Sequence, residues 1–267
     1  MGKNRKAKKE HSRLRKTVSQ LITVVCLAVF IYSAYALYSS FMDYYQNRQV
    51  LAEAQDIFYE LPNEEELELE ELKELKEGEI RQQFTELQNV NTDIVGWISI
   101  EDTQLNYPIL QSINNEDYLN QNYKGESSMA GSVFMDYRID IASYSPNTIL
   151  YGHRMKDGSM FDGLNKFLDK DFFDNHKVVK FDTLYESYDA EIFSVYQTTT
   201  DFDYIQTDFT SEEDYGLLLH EIQEQSEYPT DIVLNTEDQI ITLSTCDYKL
   251  DRDIGRLVVH AKLVKKG

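Results

Sequence analysis

From Val18 to Tyr38 the chain carries no charged residue, and about 20 apolar residues suffice to span a bilayer. This predicts a transmembrane helix over 17–41. Residues 43–90 are polar and helix-prone. The run from Glu64 to Leu75 is mostly Glu and Leu, and Gly78 interrupts the pattern. Beyond it Ile80, Phe84 and Leu87 recur at i, i+4 and i+7, one face of an amphipathic helix. The expected arrangement is a solvated stalk helix, then a helix docked on the body.

From Asn91 onward the pattern shortens. Residues 95–100 and 105–110 are rich in alternating apolar positions and flank a polar Glu101-Asp102-Thr103-Gln104, which predicts a hairpin. A short helical stretch follows over 116–122, with strands over 131–136 and 148–153. Residues 160–175 read as short helices with Phe161, Leu164, Phe167, Leu168 and Phe172 inward. Strands return over 178–181 and 188–199. Ser211 is placed to cap a helix running to about 225, with Glu212, Glu213 and Asp214 in its first turn. Two apolar strands close the chain, over 239–246 and 255–261. Many short strands with few helices predict a mostly-β barrel with peripheral helices. The expected segments are a basic tip over 1–16, an anchor over 17–41, an acidic helical lead-in over 42–90, and a body over 91–267.

Charge sharpens this division. The first 16 residues hold eight Lys/Arg and one acid, about +7, while the chain as a whole carries −21, so the remainder carries −28. An acidic body would repel a polyanion, which excludes nucleic acid as the expected partner. A basic flank ahead of an apolar span keeps that end cytoplasmic and exports the rest. Tyr32, Tyr35 and Tyr38 suit an interfacial aromatic belt. Ala34-Tyr35-Ala36 also offers the small-x-small site of a cleaved signal peptide. The length of the apolar run and the bulky residues past that site favour an anchor.

Only two cysteines occur, Cys26 in the apolar span and Cys246 at the end of a strand. A disulfide framework is therefore not expected. An unpaired exported cysteine invites a nucleophilic role, although a small buried thiol is the ordinary alternative. Nucleophilic catalysis also needs a proton carrier and a group that steadies the developing oxyanion. Among five histidines, His11 falls in the basic tip and His176 in a polar turn. His220 falls on a surface helix and His260 inside a strand. His153 ends a strand, with Gly152 leaving room for close approach, and is the leading acid/base candidate. Arg256 opens the strand after Cys246. It cannot act as a base, but its guanidinium can donate hydrogen bonds to an oxyanion or a substrate backbone. Its ordinary alternative is a surface arginine paired to one of many acids. Arg252 is a rival. Arg256 is preferred because it opens the strand and follows Gly255, read as a flexible link. No metal-ligand spacing is present, so no metal or other cofactor is expected.

Thr242-Leu243-Ser244-Thr245-Cys246 resembles the TLxTC signature of sortases, and Arg256 and Tyr151-Gly152-His153 resemble that family's arginine and histidine motifs. Phe134-Met135-Asp136-Tyr137-Arg138, Met160-Phe161-Asp162, Thr198-Thr199-Thr200 and the run from Tyr204 to Phe209 point to class B. The resemblance covers about 91–265. It implies an eight-stranded sortase-type β-barrel and a membrane-anchored cysteine transpeptidase of Gram-positive bacteria. In it Cys246 attacks the Thr–Gly carbonyl of a C-terminal sorting motif, and His153 carries the proton. Arg256 steadies the oxyanion. A cell-wall precursor or pilin amine then takes the acyl group. Carried over residue by residue, the substrate groove includes Asn115, Thr200, Tyr204, Ile205 and Ser244, with Thr245 shaping the oxyanion site through its backbone or hydroxyl. The ordinary alternatives are a core role for Tyr204 and Ile205 and a helix cap for Asn115. Rival readings of the whole are a hydrolytic cysteine endopeptidase on the same scaffold and a non-catalytic membrane-tethered surface module.

Overall fold

The computed structural model describes residues 3–60, 78–142, 145–248, 250–251 and 253–266, without the side chains of the first 15. The acidic run 64–75, the side chains of the basic tip through Arg15, and Arg252 lie outside the described residues. The chain divides into two compact units, Met1–Gln46 and Asn47–Gly267. A single helix, α1 (Lys3–Tyr59), begins in the first and ends in the second. Within the first unit the apolar side chains from Val18 to Phe41 are exposed, and the helix is long and apolar enough to cross a membrane.

The end of α1 differs from the expected solvated stalk. Leu51, Ala54 and Phe58 recur at three- and four-residue spacing and are buried in the second unit. Phe58 stacks on Trp97 with centroids 4.1 Å apart and planes 7° from parallel. Trp97 Nε1 donates to Asn106 Oδ1 at 2.7 Å, so the indole buries its ring and still satisfies its polar atom. The docking helix expected over 80–87 is shorter. A 3₁₀ turn covers Gln82–Phe84 and α2 covers Thr85–Val90. Phe84 and Leu87 are buried, but Ile80 precedes both elements and is exposed.

Eight strands form the body: β1 (Ile94–Ser99), β2 (Asn106–Leu110), β3 (Val133–Met135), β4 (Asn147–Tyr151), β5 (Val178–Thr183), β6 (Ser187–Thr199), β7 (Ile240–Cys246) and β8 (Gly255–Lys265). They close into a barrel in the order β1-β2-β3-β4-β7-β8-β6-β5. The expected hairpin is β1–β2, paired antiparallel from Ser99 with Asn106. Two pairings are parallel, β2–β3 and β4–β7. A parallel pair needs a long return. Between β2 and β3 the return holds a 3₁₀ turn (Asp117–Leu119), and between β4 and β7 it carries β5, β6 and the remaining helices. These are a 3₁₀ stretch (Phe161–Leu168), α3 (Lys170–Asn175) and α4 (Glu212–Gln225). Phe161, Leu164 and Phe167 point inward as expected. In α3 it is Phe173 that is fully buried, whereas Phe172 is half-buried and stacks on His176.

The Ser211 hydroxyl caps α4 by accepting from the Asp214 N–H at 3.2 Å. Tyr215, Leu218, Leu219 and Ile222 form its inner stripe and pack with Phe193, Tyr196, Tyr204, Ile240 and Val258. Inside this cluster His260 is wholly buried, with Nε2 2.8 Å from the Tyr196 hydroxyl and Nδ1 2.9 Å from Thr242 Oγ1. Burial pushes its imidazole down to about 3 from an ordinary 6.5.

That depression couples stability to pH. The unfolded chain protonates His260 below about 6.5, while the folded chain refuses the proton until about 3. The contribution is complete above 6.5 and is lost as pH falls, by about 1.4 kcal/mol per pH unit across that window. Urea unfolding followed by the fluorescence of Trp97 measures it. His260→Gln should shrink the stability difference between pH 7 and pH 5 by about 2 kcal/mol relative to wild type. Equal losses in both proteins would show that His260 is not the coupled group.

Candidate active site

Strand register assembles the candidates at one rim of the barrel. In the β7–β8 ladder Cys246 is the partner of Arg256, and in β6–β8 Arg256 is the partner of Thr198. Directly opposed residues of antiparallel strands have Cβ atoms about 4.5–5.5 Å apart, so Cys246 and Arg256 are neighbours. On the other side β4 runs parallel to β7 with Tyr151 against Ser244. The same register carried two places on brings His153 level with Cys246. Cys246 and Arg256 thus share one row, and the β4–β7 ladder ends two residues short of His153 and Cys246.

The residues flanking His153 and Cys246 are tied to each other. Thr245 Oγ1 donates to the Gly152 carbonyl at 2.8 Å, one position before each candidate. Arg154 NH1 meets Asp247 Oδ1 at 3.2 Å, one position after each. Asp247 is fully buried and also accepts from Gln197 Nε2 on β6. Arg154 in turn reaches Asp162 at 3.3 Å. The expected role of Gly152 is also visible. A Cβ there would sit 2.9 Å from the Phe161 ring, and the Phe161 N–H donates to the His153 carbonyl at 2.9 Å.

His153 Nε2 lies 2.8 Å from the Leu119 carbonyl oxygen. A carbonyl only accepts, so Nε2 carries a hydrogen, and in the neutral ring Nδ1 is the basic nitrogen. The other histidines whose side chains are described are elsewhere. His260 is sealed in the core, His220 is exposed on α4 near Glu224, and His176 stacks on Phe172 and bonds Asp102.

Arg256 donates to the carbonyls of Asp253 at 3.3 Å and Gly255 at 2.9 Å. Among the described residues no carboxylate lies within salt-bridge distance of it. In so acidic a chain this sets it apart from an ordinary surface arginine. Gly255 is not a flexible link. It is a buried residue of β8, and a Cβ on it would meet the Asp247 carbonyl and lie 2.6 Å from that of Asp251. The glycine is needed because the β7–β8 loop closes tightly over it.

Four of the carried-over groove residues fall into two connected pairs, and Thr200 stands apart from them. The Tyr204 hydroxyl and Ser244 Oγ are 2.8 Å apart and both side chains are buried. Burial raises the Tyr204 phenol, and the Ser244 bond and the charge of Arg256 pull against it, which sets Tyr204 beside the candidate row. Tyr204 is therefore a core residue by burial, with its polar end toward the rim. Ile205 is half-buried, and its carbonyl accepts from Arg138 NH2 at 3.0 Å. Asn115 donates to Asp136 at 3.0 Å and accepts from the Tyr137 N–H at 3.0 Å. Arg138 also binds Asp136, so one buried carboxylate connects Asn115 to Ile205. Thr200 is exposed at the end of β6, its N–H bonded to the Ile254 carbonyl at 3.0 Å. Tyr248, not singled out from sequence, has its phenol raised by burial and then by nearby Cys246. Arg154 and Asp247 also escaped sequence reading, although each directly follows a candidate residue. Asp136 stood in a recognised motif without a role.

A family model described as the sortase domain matches residues 98–264. Sortase B of Listeria monocytogenes is 39% identical over 254 residues, 95% of this chain and all of that protein. A crystal structure of sortase B from Bacillus anthracis superposes with a TM-score of 0.75 at 55% identity, covering 85% of this chain and all of that one. A Staphylococcus aureus sortase B–substrate complex gives a TM-score of 0.74 at 38% identity over 85% of this chain and all of that one.

The Thr245 bond has a direct consequence. Thr245→Val keeps the shape but leaves the buried Gly152 carbonyl without its donor, at a cost of about 1–3 kcal/mol. Urea unfolding should show this loss. If the hydroxyl instead serves a developing oxyanion, the variant will keep wild-type stability and lose only turnover.

Proposed function

This chain belongs to the sortase family, on its class B branch of cysteine transpeptidases, and from that membership we propose that Cys246, His153 and Arg256 carry its chemistry. The observation that supports this assignment is the register that pairs Cys246 with Arg256 and ends the β4–β7 ladder at Tyr151 and Ser244, two residues before His153 and Cys246. The Cys246 thiolate attacks the carbonyl carbon of the Thr–Gly bond in a C-terminal sorting motif. The C–N bond breaks, His153 protonates the departing amine, and a thioester remains on Cys246. An incoming amine from a cell-wall precursor or a pilin lysine gives its proton to His153. It attacks the thioester, and the thiolate leaves.

Arg256 faces this row with a guanidinium that holds only backbone carbonyls among the described residues. It can turn its donors to the oxyanion and to the peptide backbone. Asn115, Thr200, Tyr204, Ile205 and Ser244 line the peptide groove, and Thr245 supports the oxyanion site through the backbone it holds.

The apolar part of α1 anchors the enzyme in the cell membrane as a single pass. The basic tip is cytoplasmic, and the barrel works outside on sorting-motif surface proteins. Residues 1–16, 17–41, 42–90 and 91–267 then act as tip, anchor, lead-in and catalytic body. Within the lead-in, Leu51, Ala54 and Phe58 of α1 are buried in the body.

Quenched sorting-motif peptides, with and without amine acceptors, test the reaction. Wild type should cleave a motif peptide and join its N-terminal part to the acceptor, and Cys246→Ala should abolish both. Free acid as the sole product with every acceptor would replace transfer by hydrolysis. Arg256→Lys keeps the charge but loses the planar fork, so kcat/KM should fall by about 100-fold or more. Wild-type rates in that variant would move the arginine role to Arg252.

A further inference from the structure

Tyr204 and Ile205 stand in a turn between β6 and α4, outside any strand. Backbone carbonyls in such a segment must find partners elsewhere. Three in succession are met by side chains. Asn147 Nδ2 donates to the carbonyls of Tyr204 at 3.2 Å and Gln206 at 3.0 Å. Arg138 NH2 donates to that of Ile205, between them, at 3.0 Å. Asn147 is the first residue of β4, and Arg138 lies in the turn after β3.

Each of these side chains is itself oriented. Both Nδ2 hydrogens of Asn147 go to carbonyls, so its Oδ1 must be the atom 2.6 Å from Thr242 Oγ1, and that hydroxyl must donate. The Thr242 oxygen then accepts from His260 Nδ1–H, which leaves His260 Nε2 bare to accept from the Tyr196 hydroxyl. One order of donors satisfies the whole chain, and a neutral His260 is its pivot. Arg138 is held by Asp136 in a two-pronged pair, Nε and NH2 each at 2.8 Å. Asp136 is fully buried and also accepts from Tyr151 at 2.9 Å and Asn115 at 3.0 Å. Burial pushes its carboxyl up, but the bonds from Arg138, Tyr151 and Asn115 prevail and hold it below the usual carboxylate range.

We propose that Asn147 and Arg138 are the positioning residues of the peptide groove, gripping the 204–206 turn by its carbonyls and so setting where Tyr204 and Ile205 meet the substrate. The groove's occupant is taken from the transpeptidase reading above, and the proposal rests on it to that extent. Both donors lie outside the row of Cys246, His153 and Arg256. Their loss therefore weakens peptide binding more than chemistry.

The full chain in detergent micelles is compared as wild type, Asn147→Ala, Arg138→Ala and Thr242→Val. The last removes only the hydroxyl that orients Asn147. Amide hydrogen exchange should quicken about tenfold or more across 202–208 in Asn147→Ala and Arg138→Ala, and less in Thr242→Val, while β7 and β8 keep their rates. With a motif peptide that wild type cleaves, KM should rise about tenfold and kcat fall less than about threefold. If Asn147→Ala fails to fold, the surface variant Arg138→Ala and the near-isosteric Thr242→Val carry the test. Unchanged exchange across 202–208, or an increase spread evenly over the barrel, overturns the proposal. So does a fall in kcat at constant KM. If wild type cleaves no motif peptide, the transpeptidase reading fails, and the exchange pattern alone decides whether these side chains hold the turn.

Discussion

Barrel closure is the constraint from which the rest follows. Eight strands joined edge to edge leave no free register, because sliding one strand breaks the ladders on both its sides. The parallel β4–β7 pair and the antiparallel β7–β8 pair therefore fix the heights of three strand ends together. The thiol of Cys246 and the guanidinium of Arg256 become partners without any contact between their side chains having to enforce it, and the segment bearing His153 continues from the neighbouring strand. The bonds that do join the flanking residues, Thr245 to Gly152 and Arg154 to Asp247, refine a placement the barrel has already made.

Polar groups inside this barrel act as fixtures for segments that strands do not hold. The turn carrying Tyr204 and Ile205 has no ladder, so buried side chains take over its carbonyls. The β7–β8 loop closes on Gly255 because no side chain fits there. The His153 loop is pinned by Phe161, by Arg154 and by the Leu119 carbonyl. A buried polar atom without a partner costs much more than a satisfied one yields. Each of these fixtures therefore has few alternative arrangements, and the rim it supports is preorganised.

Electrostatics separate the candidate site from the body around it. The chain is strongly acidic, and most of the Lys and Arg side chains among the described residues find carboxylates. Arg256 holds only backbone carbonyls among the described residues. A guanidinium beside a thiol, in a protein rich in acids, stays available only if the local packing keeps carboxylates away. Asp247 follows Cys246 directly but turns inward to Arg154 and Gln197, which removes one competitor.

Much of this was legible in the chain itself. Apolar periodicity marked the long helix, the hairpin and the capped α4, because burial of one face leaves a regular trace. The TLSTC run, the YGH run and Arg256 carried their resemblance in local sequence, since the chemistry demands those side chains at strand ends. Other features depended on how the folded chain brings its parts together. Whether residues 47–59 were stalk or core turned on Trp97 lying where Phe58 could stack. Gly255 reads as freedom in sequence and proves to be a lack of space, because the atoms that crowd it belong to Asp247 and Asp251. Asn147, Thr242 and His260 look like ordinary strand residues until the barrel brings them face to face beneath the groove. Side-chain type and periodicity are properties of the chain, whereas a hydrogen bond between residues ninety positions apart exists only once closure has set both in place.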